Sequence, residues 1–357
     1  MTRVTVCIPA FNASPFISQT LDTILNQSYQ NFKILVSDNH STDNTVDIVR
    51  HYHDKNPQIS LTVCPLSRQD DSLRTTSLSA IDNGNHLLSL ADTELIALYH
   101  ADDLYHRDIM AAEVEFLDQH KEAVAVFTMT KLMDYCGQNV SKRSISLPPS
   151  IKGKEVFSHI ELLTALVEKS MQLSTPTCMM RRDAVMQAGP IMKNHEQASD
   201  YDYWLRMAQI GAIGIIDRPL LLRRIGAHQD SFRGQTVYRH SYMPSVGLFE
   251  EHIKYLPDGH DSKTRLLNAL RVLKSHNDLR IARDYIIEGR RSEAIRYITS
   301  QRLRDHSVQW LLIYAILKIT GPIGLDALIG RAYWGLLDKA RSLKWAMRPL
   351  KLSDFGT

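Results

Sequence analysis

The chain has 357 residues, 44% apolar and 23% charged, with 42 Lys and Arg against 39 Asp and Glu. Such a length can bury a full core, and so ordinary a composition excludes a disordered, collagenous or disulfide-scaffold protein. The net charge of +3 hides a division: residues 263–351 carry 18 basic and 7 acidic side chains, whereas residues 1–262 carry 24 and 31, so an acidic module precedes a basic tail.

Val4 to Pro9 (VTVCIP) is a β-branched apolar run of strand length. A helix is expected over Ser14 to Asn26, with Ser14 as N-cap and Pro15 in its first turn. FKILV at 32–36 reads as a second buried strand, Ser41 to Tyr52 as a helix and Leu61 to Val63 as a third strand. Ser77 to Ala91 reads as a helix, LIALY at 95–99 as a strand, Arg107 to His120 as a helix and AVAVFT at 123–128 as a strand. After a loop over about 142–154 come a helix at 160–168, a strand at 177–181, a helix at 199–210 and a short strand at 213–216. Strands that are apolar on both faces and alternate with helices predict an α/β fold with a mostly parallel sheet flanked by helices. From about Ser241 the pattern is helical throughout, including a hairpin over Leu279 to Ile298 that turns at Gly289. The expected division is a catalytic domain over 1–235 and an all-α, basic C-terminal region over 236–357.

Cys7, Cys64, Cys136 and Cys178 are scattered, which suggests neither a zinc site nor a disulfide framework. Free thiols, an N-terminus that enters a strand at once and the lack of a long uncharged apolar stretch predict a cytoplasmic chain without a signal peptide or a spanning helix.

Four places could carry chemistry. At the end of the second strand, Asp38-Asn39-His40-Ser41-Thr42-Asp43 puts a carboxylate where open parallel sheets bind ligands; the same residues also suit a capping turn. At the end of the fourth strand, His100-Ala101-Asp102-Asp103 sets two carboxylates side by side, a conflict that a hard divalent cation resolves, unless they merely cap the next helix. On the helix at 199–210, Asp200 and Asp202 lie roughly 200° apart, so only one can face a cleft; it would be a helix-end charge or a general base. Last, Arg223-Arg224-Ile225-Gly226-Ala227-His228 gathers cationic and imidazole groups in a loop suited to an anion or a metal.

Taken together, VTVCIPAFN at 4–12, NFKILVSDNHSTDNT at 31–45, LADTELIALYHADD at 90–103 and SDYDYWLRM at 199–207 resemble the motifs of the family 2 glycosyltransferases, over about residues 1–232. The resemblance implies a GT-A fold, a Rossmann-like nucleotide-sugar domain, and an inverting enzyme that uses Mn2+ or Mg2+ and a nucleotide-sugar, most commonly a UDP-sugar. It implies that Pro9, Ala10, Phe11 and Asn12 line the base pocket and that Asp38 recognises the base. Asn85, His100, Ala101 and Asp102 would complete the nucleotide site, with Asp102 and His228 on the metal and Asp200 as the catalytic base. Asn39 and His40 depart from the family's usual Asp-Gly, His100 stands where a first Asp often sits, and Gly84 takes the place of a common Arg, for which Arg74 is a substitute.

The acceptor implied is a glycan or lipid-linked glycan, as in surface polysaccharide assembly. Trp310, Tyr314, Tyr333, Trp334 and Trp345 interleaved with basic residues suit the anionic inner face of the plasma membrane; a helical cap packed on the catalytic domain or on a second copy of the chain, in a homodimer, is the alternative. Nucleic acid is not expected at a cleft so acidic. Two other functions remain open: a sugar nucleotidyltransferase, which would want a Gly-rich basic loop where Ala10-Phe11-Asn12-Ala13 stands, and a non-catalytic nucleotide- or glycan-binding member.

Overall fold

The computed structural model describes residues 2–65, 77–137, 140–169, 171–195, 198–225, 241–257 and 261–302. Arg74, His228 and the aromatic-basic stretch beyond 302 lie outside them. The described residues fall into two compact units that divide after Gly226.

The first unit alternates β1 (Val4–Ala10), α1 (Ile17–Leu25), β2 (Phe32–Asp38), α2 (Thr45–Lys55), β3 (Ile59–Val63), α3 (Ser77–Leu90) and β4 (Leu95–Leu98). There follow β5 (Leu104–Tyr105), α4 (Ile109–Gln119), β6 (Ala123–Met133), β7 (Val140–Ile145), β8 (Val156–Phe157) and α5 (His159–Glu168). The unit closes with β9 (Cys178–Arg181), α6 (Arg182–Ala188), α7 (Ser199–Ile210) and β10 (Ala212–Arg224). One sheet runs in the order β3-β2-β1-β4-β9-β6-β10-β5, with β7 on β6 and β8 on β10. The β1–β2, β1–β4, β2–β3 and β6–β10 pairs are parallel, whereas β9 inserts antiparallel between β4 and β6. This is the mixed α/β sheet with flanking helices that the apolar runs imply.

Side-chain alternation along β1 assigns the two layers. Val4, Val6 and Ile8 are fully buried with Ile17 and Leu21 of α1, Val49 of α2 and Ile109 of α4. On the opposite face the Cys7 thiol lies 3.8 Å from the Leu87 carbonyl of α3. Burial pushes that thiol up to about 12, so it is an inert core group. Farther along the sheet, Phe127 of β6 meets Trp204 of α7 edge to face at 4.9 Å.

Several elements differ from the sequence expectation. Helix α1 starts three residues late, because Ala13 O accepts the Phe16 and Ile17 amides in a turn and Asp43 takes the Ser14 N–H at 3.0 Å. Helix α2 begins at Thr45, whose N–H also goes to Asp43, at 3.0 Å. The expected loop over 142–154 contains part of β7, and the expected short strand at 213–216 is only the first third of β10. That strand carries through Asp217-Arg218-Pro219 by register shifts against β6. Helix α5 follows its signal closely, with a capping box between Ser158 and Glu161.

In the second unit, α8 (Pro244–Lys254) precedes α9 (Asp261–Ile287) and α10 (Arg291–Arg302). Helices α9 and α10 form the expected hairpin around Leu279, Ala282, Ile286, Ala294 and Ile298. Gly289 ends α9 at φ +74°, the left-handed conformation that favours glycine. Among the described residues no helix is long and apolar enough to cross a membrane.

Gly214 of β10 has no room for a side chain: a Cβ there would stand 2.2 Å from the Phe116 ring. Gly214→Ala is expected to cost about 1–3 kcal/mol by overpacking. Gly247→Ala in α8, where a Cβ would meet nothing within 4 Å, is expected to gain roughly 0.5–1 kcal/mol. Urea denaturation of both variants checks the pair.

Candidate active site

Because β1 runs parallel to both β2 and β4, the strand order reverses at β1 and the three carboxyl ends share one edge. Ala10 sits opposite Asp38, and β4 delivers His100-Ala101-Asp102-Asp103 beside them.

The two loops next to β1 and β2 are joined to each other. Asn12 donates its N–H to Ser41 Oγ at 2.9 Å, and its Oδ1 accepts the Thr42 N–H at 2.8 Å. Ala13 N–H reaches Thr45 Oγ1 at 2.8 Å. Burial opposes ionisation of Asp43, but the bonds from Thr45 and Ser14 outweigh it and hold its carboxyl below the usual value. Two residues here adopt left-handed backbone, Asn12 at φ +46° and His40 at φ +60°. His40 occupies the place of the family's glycine, and its Nε2–H bonds the Cys64 carbonyl at 2.8 Å; His is among the few residue types that tolerate this conformation.

Asp38 is 3% exposed. Its Oδ2 accepts the Ser41 N–H at 2.9 Å, and its buried Oδ1 has no partner. Ala10 is buried, Pro9 half-buried, and Phe11 and Asn12 are exposed on the same rim.

Asn85 is placed differently from the expectation. Its Nδ2 donates to the Ile191 carbonyl at 2.9 Å and its Oδ1 accepts the Ile191 N–H at 2.8 Å, so both ends of the amide clamp a neighbouring loop. Asn83, two positions earlier on α3, is the one that reaches the strand ends: its Nδ2 donates to Ser37 O at 2.9 Å.

At the β4 edge, ligand atoms of His100, Asp102 and Asp103 lie within 4.8 Å of one another. Asp103 is buried; its Oδ1 accepts the Arg224 N–H at 2.9 Å and its Oδ2 is unpartnered. Burial, with the neighbouring Asp102 charge, drives the Asp103 carboxyl well above the ordinary range. Burial lowers the His100 imidazole to about 4 against the pull of Asp102, with Arg223 adding to the decrease, so His100 is neutral at pH 7 and can act as a ligand. An unpartnered buried carboxylate oxygen beside a second carboxylate and a neutral imidazole is a donor set that fits Mn2+ or Mg2+.

Asp200 reaches the same edge from α7. The segment at 175–177 leads into β9, and Cys178 of β9 pairs with Leu98 of β4. Thr175 Oγ1 donates to Asp200 Oδ2 at 2.9 Å, and the Tyr201 N–H donates to Oδ1 at 2.8 Å. Burial raises the Asp200 carboxyl, while Thr175, Tyr201 and the Arg223 charge work against the rise. Arg223 thus acts electrostatically on Asp200, His100 and Asp103 alike. Asp202 points elsewhere: it is bonded to Arg206 Nε at 2.8 Å, and Arg206 also donates to the Ala188 and Pro190 carbonyls.

The profile of "Glycosyltransferase like family 2" matches residues 2–213, more than half of the chain. The chain belongs to this family. Among its relatives is EpsE of Bacillus subtilis, named as a glycosyltransferase and 27% identical over 59% of this chain and 69% of its own. TuaG of the same organism, named for teichuronic acid biosynthesis, is 26% identical over 50% and 68%. The family region takes up only 19% of the longer chondroitin and hyaluronan synthases of Pasteurella multocida, each 22% identical over 58% of this chain. In fold, the chain resembles the mannosyltransferase PcManGT of Pyrobaculum calidifontis, solved with GDP-Man and Mn2+, at a TM-score of 0.53 and 20% identity over 94% of this chain and 88% of that one.

Family membership does not locate the site by itself; the paired loops at the strand ends are the candidate. A surface hollow of about 310 Å³, lined by Asp92, Thr93, Glu94, Arg181, Arg182 and Asp183, lies at the opposite, amino edge of β4. The Asp202–Arg206 pair supports α7, and Asp202→Ala is expected to cost about 2–3 kcal/mol, just below the range for a broken buried pair because Arg206 keeps two carbonyl partners. Urea denaturation gives the loss, and a kcat within about twofold of the parent would separate this structural role from the general-base role proposed for Asp200.

Proposed function

We propose that this family 2 glycosyltransferase moves a sugar from a UDP-sugar to an acceptor hydroxyl with inversion, in a divalent-metal-dependent reaction. The observation that carries the reading is the meeting of Asp38, the His100–Asp103 turn and Asp200 at one sheet edge, each held by a different element.

Asp38 offers one unpartnered buried oxygen, which suits the single ring N–H of uracil, with Pro9, Ala10, Phe11 and Asn12 along the base. Asn85 is left to shape the adjoining loop. Asp102 and His100 would hold the cation with Asp103 behind them; the assignment of His228 to the same ion rests on the sequence resemblance alone. When bound, the cation offsets the charge of the diphosphate. PcManGT, similar in fold, holds Mn2+ together with its nucleotide-sugar.

Asp200 is the general base. A sugar hydroxyl loses its proton only as it attacks, so the base must lie beside it and be ionised. The Thr175 hydroxyl and the Tyr201 amide aim the two carboxylate oxygens and favour the charged form. Arg223, close enough to act on both carboxylate clusters, adds positive potential where a diphosphate would collect charge. One base on the face opposite the leaving group gives a single displacement, and hence inversion.

The names of EpsE and TuaG support a role in surface polysaccharide assembly, with a glycan or lipid-linked glycan as acceptor. The catalytic region over 1–235 would then work at the inner face of the plasma membrane, held there by the basic region over 236–357 through the anionic lipid surface. Pairing with a second copy of the chain is the alternative use of that region.

Calorimetry with UDP, GDP and TDP, each with Mn2+ and with chelator, tests the donor assignment. UDP should bind best and lose most of its affinity in chelator; equal binding with and without metal would remove the cation from the reading. Asp102→Asn should abolish the metal-dependent part. Asp200→Asn should leave UDP binding intact and lower kcat at least about 100-fold. Because burial holds the Asp200 carboxyl above its ordinary value, kcat/KM should climb with pH through that raised value. Thr175→Val removes a bond that favours the charged form, so the acid limb should move to still higher pH.

A further inference from the structure

The turn between β4 and β5 has its main-chain groups held one after another. Tyr105 Oη accepts the His100 N–H at 2.7 Å. Thr20 Oγ1 lies 3.0 Å from the Ala101 carbonyl and 2.9 Å from that of Asp103. Arg224 Nε–H donates to the Asp102 carbonyl at 2.9 Å, and the Arg224 main-chain N–H donates to Asp103 Oδ1.

Arg224 does more than touch the turn. Its Nη1 donates to the Tyr135 carbonyl at 2.7 Å and its Nη2 to Gln19 Oε1 at 3.0 Å. Its guanidinium lies 4.6 Å from the Phe16 ring centroid, and Phe16 meets Tyr135 edge to face at 5.0 Å. One planar fork therefore joins the turn, the start of α1 and the segment between β6 and β7, which are distant in sequence. Gly137 accommodates it: a Cβ there would stand 3.0 Å from Nη1. Arg224 is 2% exposed. Burying a cation so deeply is costly, so this fork is a poor choice for stability alone; what it supplies is direction, since a guanidinium donates at fixed angles and a flexible ammonium does not.

We propose that Arg224 is a positioning residue for Asp102: by fixing the Asp102 carbonyl and the Asp103 carboxylate together, it sets the direction in which the His100 and Asp102 side chains leave the turn. Its guanidinium is engaged by these partners inside the fold, and its neighbour Arg223 is the half-buried cation of the pair. This rests on the reading of the turn as the diphosphate and cation site. Tyr105 serves the same end from below: its ring is stacked on Tyr99 at 4.1 Å, and the Tyr99 hydroxyl donates to the buried Glu113 at 2.8 Å.

The test uses the full chain and compares the parent with Arg224→Lys, Tyr105→Phe and Asp102→Asn. Hydrogen exchange of the peptide spanning 99–105, Mn2+ affinity in the presence of UDP by electron paramagnetic resonance, thermal melting, and kcat and KM are measured for each. Arg224→Lys is expected to melt cooperatively, to exchange about tenfold faster in that peptide, and to bind Mn2+ roughly 10–100-fold more weakly with a lower kcat. Tyr105→Phe, which keeps the ring stack, should give the same changes in smaller measure and covers the case in which Arg224→Lys fails to fold. Unchanged exchange overturns the proposal. So does faster exchange with parental Mn2+ affinity and kcat, since Arg224 would then be structural only. If the parent itself binds no Mn2+, the cation reading falls, and the exchange rates together with kcat still decide the role of Arg224.

Discussion

The parallel pairing of β1 with both β2 and β4 is the constraint on which the site depends. Parallel neighbours must leave the sheet at the same edge, and a central strand with partners of opposite sequence direction leaves a gap between its two following loops. Everything proposed for the donor sits along that gap. The antiparallel insertion of β9 adds the side proposed for the acceptor, because its entry beside the exit of β4 puts Thr175 where Asp200 of α7 can reach it. An element from the second half of the unit is thereby brought to an edge built by the first.

Buried polar atoms without partners are rare in folded proteins, and here several stand on the residues that build this edge. Asp38 Oδ1, Asn83 Oδ1, Asp103 Oδ2, Ser174 Oγ and Ser199 Oγ are all of this kind. They belong to the ends of β2 and β4, the α3 face beneath them, and the Thr175 and Asp200 segments. At this edge they are intelligible as a surface made to receive polar groups; others, on Glu113, Thr130, Tyr203, Trp204 and Asp217, lie elsewhere in the unit. Away from the edge the unit has apolar β1 faces, an edge-to-face pair at Phe127 and Trp204, and an inert thiol at Cys7.

The sheet was legible because VTVCIP, FKILV, LIALY and AVAVFT are apolar on both faces and too short for helices. The two-residue strands β5 and β8 have no periodicity to read, and Asp217-Arg218-Pro219 breaks the pattern of β10 although tertiary pairing carries the strand through it. At the candidate site, the positions of Asp38, Asp102 and Asp200 at strand and helix ends were legible in the sequence. Which of Asp200 and Asp202 reaches the strand ends was not, since each is a first-turn carboxylate; only the position of Arg206 one turn away hints that Asp202 is already engaged. Asn85 was chosen by its distance from the metal motif, whereas Asn83 faces the strands, and two residues on a helix are roughly 200° apart. Thr175 was not singled out, because a Ser-Thr-Pro turn looks like surface chemistry until the chain is folded; Arg224 was read with Arg223 as part of a loop suited to an anion or a metal, not as a side chain that braces the β4–β5 turn.

Asp43 has a consequence of a different kind. By receiving amides from both Ser14 and Thr45, it ties the loops after β1 and β2 into a single latch. A nucleotide that docked its base there, as proposed, would not have to order these two loops, so little of its binding free energy would go into fixing them. Discrimination among bases must then come from shape and hydrogen-bond mismatch against a fixed mould, and wrong bases should be rejected by faster departure rather than by slower entry.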